Sequence, residues 1–70
     1  MEFLVVRFPE RRKVRVDGIE SGKTGELIEL AAGTYTITLD PAGGCAPPAK
    51  TIVLQDTAAL DPCEVIFARA

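Results

Sequence analysis

A chain of seventy residues is one domain, and at this size only roughly 60% of the unfolded surface can be buried. Apolar residues make up 47% of it, too many for a disordered chain, and no apolar run approaches the roughly 20 residues of a membrane-spanning helix. The net charge of -2 singles out no class of partner, but its distribution is uneven: residues 1–16 carry an excess of +3 and residues 17–70 an excess of -5.

Taken in order, Glu2–Phe8 reads as a strand. Leu4, Val6 and Phe8 point one way, and Phe3, Val5 and Arg7 the other. Pro9–Arg12 is a turn, because proline fixes φ and cannot donate to a ladder. Lys13–Asp17 alternates, with Val14 and Val16 inward. Asp17-Gly18 is a strong tight-turn signal, and Ile19–Gly25 is expected to be a loop. Glu26–Leu30 is a short strand with Ile28 and Leu30 inward, followed by a turn at Ala31–Gly33.

Thr34–Leu39 is the clearest strand, with Tyr35, Ile37 and Leu39 on one face and three threonines on the other. Asp40–Ala49, with three prolines and two glycines, is expected to be the longest exposed loop. Lys50–Gln55 is a strand, Asp56–Asp61 a turn, and Pro62–Ala68 the last strand. About six short strands punctuated by Gly, Pro and Asp predict an all-β fold, a small antiparallel β-sandwich of Ig-like or transthyretin-like kind spanning residues 1–70. Its expected core is Leu4, Val6, Val14, Val16, Ile28, Leu30, Tyr35, Ile37, Leu39, Ile52, Leu54, Val65 and Phe67.

The runs Phe8-Pro9-Glu10, Val14-Arg15-Val16-Asp17-Gly18, Gly22-Lys23-Thr24 and Leu30–Leu39 (L-A-A-G-T-Y-T-I-T-L) resemble, in order and spacing, the PEGA domain family. The resemblance covers residues 4–39. It departs where Arg11-Arg12 stand in place of Gly-Ala and where Gly25 stands in place of the proline after Gly-Lys-Thr. It implies a β-sandwich of this size with no catalytic residues assigned. Members are often extracytoplasmic modules of larger bacterial proteins. Read on its own, the start of the chain has no cationic segment followed by an apolar core, which predicts a cytoplasmic protein with Cys45 and Cys63 reduced.

Little in the chain can do chemistry. There is no histidine to serve as a neutral-pH acid or base. Cys45 is expected to be an exposed loop thiol and Cys63 a small core residue, and two cysteines without histidine make half a zinc site at most. Gly18–Thr24 hints at a phosphate loop, yet Asp17 stands where that motif needs its first glycine, and a strand follows where it needs a helix. The expectation is a non-enzymatic binding or structural interaction module with no cofactor and no metal.

The one local hint is the basic run Arg11, Arg12, Lys13 and Arg15. It reads first as a solvated hairpin turn that guards an edge, and alternatively as an anion or nucleic-acid contact. Nucleic acid is the less favoured partner, because only Phe8 is near enough to interleave with the basic residues. A second expectation concerns Phe3 and Val5. An N-terminal strand at a sheet edge would leave this pair uncovered, inviting a homodimer or another protein partner.

Overall fold

Asp17 and Gly18 stand at φ of 51° and 83°, the pair of positive values that a two-residue type I′ turn requires. In the computed structural model, which describes residues 1–70, this turn joins β2 (Lys13–Val16) to β3 (Ile19–Lys23), with Val16 facing Ile19. The remaining strands are β1 (Glu2–Arg7), β4 (Leu27–Leu30), β5 (Gly33–Asp40), β6 (Cys45–Ala46), β7 (Lys50–Leu54), β8 (Cys63–Ile66) and β9 (Ala68–Arg69). No helix is present, so none is long and apolar enough to cross a membrane.

The strands form two packed layers. One sheet has the order β4-β1-β8 and the other β3-β2-β5-β7; a small third pair, β6-β9, closes one end. All pairings are antiparallel except β1 with β8. Between the layers lie Leu4, Val6, Val14, Val16, Ile28, Ile37, Leu39, Leu54, Val65 and Phe67, all buried as the period-2 alternation requires. Leu30, Tyr35 and Ile52 are only partly buried and pack against this core.

Four expectations need correction. Ile19–Gly25 is not a loop: Ile19–Lys23 is an edge strand, and because neither of its faces enters the core its sequence shows no apolar alternation. Asp40–Ala49 is not free. Its residues 45–46 pair with β9, and Cys45, expected to be exposed, is 6% exposed with its Sγ donating to Ala42 O. The final strand breaks at Phe67 into β8 and β9, so nine short strands replace six. The N-terminal strand is not at an edge either. Strand β1 is central in its sheet, and Val5, in register with Leu27 on one side and Glu64 on the other, is 7% exposed. Phe3 is half-buried.

The start of β1 is tied to the Asp56–Asp61 turn. Phe3 N donates to Thr57 Oγ1, while Glu2 Oε1 accepts from Thr57 N and Thr57 Oγ1. The two bonds from Thr57, backbone first, hold the Glu2 carboxyl below its ordinary value. A depressed acid stabilises the fold above its unfolded pKa, and that contribution is lost as pH falls through the folded value. Acidification below about pH 4 should therefore release Thr57 from β1. The amide resonance of Thr57 is expected to move toward its unfolded position at low pH, and in Glu2→Gln this dependence should vanish. A Thr57 amide indifferent to acid in the wild type would refute the tie.

Candidate functional site

One end of the sandwich gathers the β1–β2 turn, the β3–β4 turn, the Asp40–Gly44 loop and β9. Thr24 fastens the first two. Its Oγ1 accepts from Arg12 N and donates to Glu10 O, and its own N–H reaches Arg12 O at 2.9 Å. The residue is buried, so the Gly-Lys-Thr run serves as a clamp between turns. Thr24→Val keeps the volume and strands the Arg12 N–H and the Glu10 carbonyl. We expect a loss of about 1–3 kcal/mol in chemical denaturation; an unchanged midpoint would mean that solvent replaces the hydroxyl. Next to it, Gly25 stands at φ 83° and donates its N–H to Val6 O at 2.8 Å. Proline can supply neither, so the turn cannot carry the proline of the PEGA pattern.

Arg12 fastens the loop. Its guanidinium carbon lies 4.6 Å from the centre of the Phe8 ring, and its Nη1 donates to Pro41 O and Gly43 O. Its side chain is 11% exposed. Arg69 approaches the same ring at 5.9 Å, and both arginines reach the Glu10 carboxylate. The two cations, the ring and the acid form one cluster that joins β9, the first turn and the loop.

The other basic residues are also engaged. Arg11 pairs with Glu26 at 3.3 Å, Lys13 with Glu20 at 3.8 Å, and Arg15 with Asp40 at 3.0 Å and with Gly18 O. The pairs of Arg11 and Lys13 are half-exposed and worth at most about 1 kcal/mol each. Arg11, Arg12 and Lys13 come together around a recess of about 330 Å³ whose other lining residues are Lys23 and Asp40. Arg15 lies outside it. Lys23 was not among the candidates from sequence. A regular hairpin would set Lys13 against Gly22, but the bulge at Ser21 shifts the register and sets it against Lys23.

Sharing Arg11 with this recess is a larger groove of about 680 Å³. Phe8, Pro9, Ile66 and Ala68 supply its apolar surface, with Phe67 buried behind them, and Arg7, Glu10, Arg11 and Arg69 its charged rim. Ile66 and Arg7 also lie on the outer face of the β4-β1-β8 sheet, where they are register partners and share that face with Phe3, Val5, Leu27, Glu29 and Glu64. Leu27 is 48% and Ile66 59% exposed. Phe3 and Val5 lie on that face but open no surface there, since Val5 is buried and Phe3 half-buried; its exposed apolar residues are Leu27 and Ile66.

Both cysteines are free thiols, Cys45 opposite Arg69 and Cys63 opposite Leu4 near the other end of the last strands. No three His, Cys, Asp or Glu side chains converge as a metal site. No protein-family model, curated protein or solved structure matches the chain.

Proposed function

We propose that the chain is a non-enzymatic interaction module that receives an apolar anchor of a protein partner in the groove beside Phe8 and Ile66. The observation carrying this reading is the groove itself, whose apolar lining at Phe8 and Ile66 is ringed by Arg7, Glu10, Arg11 and Arg69, with Leu27 exposed two strands away on the outer sheet face. Concave apolar surface edged by a few charged groups is the common form of a binding site. The flanking arginines are favoured at interfaces for the same reason they stack on Phe8, a weakly hydrated planar cation. The PEGA-like run over residues 4–39 supports the same reading, as that family has no catalytic residues assigned.

The test is Leu27→Ser/Ile66→Ser. Both side chains are largely outside the core, so the variant should fold with a midpoint close to that of the wild type. If the partner is a second copy, light scattering should show a dimer for the wild type and a monomer for the variant. If the partner is another protein, cross-linking in cells should give an adduct with the wild type that the variant lacks. Identical behaviour of the two chains in both assays would overturn the proposal.

A further inference from the structure

We infer that the smaller basic recess is a phosphate-group site, with Lys13 and Lys23 as its direct ligands and Arg11 as a third. Two lysines face each other across β2 and β3, and like charges set directly opposite repel. Lys23 has no acidic partner within 4.0 Å, and Lys13 has only the long, half-exposed contact to Glu20. Arg12, at the back of the recess, is held by the Phe8 ring and by two loop carbonyls, so its charge stays in place. Asp40 is the only acid in the lining, and its carboxylate is bonded to Arg15. The recess therefore gathers four cations around one acid in its lining; Arg11, Arg12 and Lys13 each also reach a glutamate outside it, and Lys23 alone is unpaired.

The size and lining set the ligand class. About 330 Å³ lies at the low end of small-molecule sites. No aromatic side chain lines the recess, so a nucleic-acid base has no surface to stack on. What the recess can recognise is the doubly charged phosphate group itself, through the point charges of two lysines and the fork of Arg11. Arg11 and Lys13 can turn to it by giving up exposed ion pairs that contribute little.

The experiment is a titration of the whole chain with inorganic pyrophosphate and with inorganic phosphate, followed by two-dimensional NMR at constant ionic strength. Saturable shifts confined to residues 11–13, 23 and 40 are expected, with pyrophosphate the tighter ligand. Lys23→Gln removes a repelled charge, so it should raise the thermal midpoint without anion and weaken pyrophosphate by roughly fivefold or more. Lys50→Gln, outside the recess, and Leu27→Ser/Ile66→Ser, at the groove, should leave the affinity unchanged. Shifts spread over all cationic residues, or equal affinity in Lys23→Gln, would overturn the proposal. So would a DNA oligonucleotide that binds far more tightly than pyrophosphate and also shifts Arg15, which would assign the basic turn to nucleic acid.

Discussion

Phe67→Ala is expected to cost about 3–5 kcal/mol, the range for deleting a buried aromatic side chain. A domain of this length has on the order of 4–10 kcal/mol in all, so the variant should lose about a third of its stability or more. Phe67 is 1% exposed and lies where the chain passes from β8 to β9. Its N–H donates to Arg7 O at 2.9 Å, and Lys50 Nζ lies 5.8 Å from its ring centre. Removing the ring leaves a void between the layers. Phe67→Leu, which retains most of the volume, should be far milder. Denaturation followed by circular dichroism decides the matter: a loss below about 1 kcal/mol for the alanine variant would show that the ring is not a core element.

Arg12→Ala should be the most damaging change to a charged residue, about 2–4 kcal/mol from two charge-assisted bonds and a ring contact. The same change undocks the Pro41–Gly44 segment, because both carbonyls that Arg12 holds lie there. Arg12→Lys should recover little, since a single ammonium cannot both stack on Phe8 and fork between two carbonyls. Cys45 reports the event. It is buried in the wild type and follows directly after the undocked segment, so its thiol should react with a water-soluble disulfide reagent much faster in the variant. A stable Arg12→Ala with a protected Cys45 would mean that the guanidinium is solvated in solution.

Arg12 also marks where the sequence could be read and where it could not. The Asp17-Gly18 turn, the alternation of Thr34–Leu39 and most of the core follow from local spacing, because side-chain direction in a strand is fixed by the pleat. A charge run carries no such signal. That Arg11 and Lys13 are half-exposed while Arg12 is nearly buried depends on Phe8 beneath it and on carbonyls about thirty residues further on. Lys23 was hidden for a different reason, a one-residue bulge in a strand with no core face. For β1, the alternation set Leu4 and Val6 inward, but nothing in it signalled that Val5 would be covered or that a parallel partner would come from the far end of the sequence.

That parallel pairing dictates an order of assembly. Strands β2, β3, β5 and β7 lie within residues 13–54, and their hydrogen-bonded ladder draws on no strand outside that span. Strand β1, although first in the chain, completes its sheet only with β8, through contacts such as Arg7 to Glu64 that span 57 residues. Closing so long a loop carries its entropic cost before any contact rewards it, and folding slows as such contacts dominate. During synthesis from the N-terminus the four-stranded layer can therefore form early, while Leu4 and Val6 wait for the final strands. The most apolar segment of the protein is the one kept longest without its full complement of neighbours, a period of exposure that chaperones and competing strand edges share.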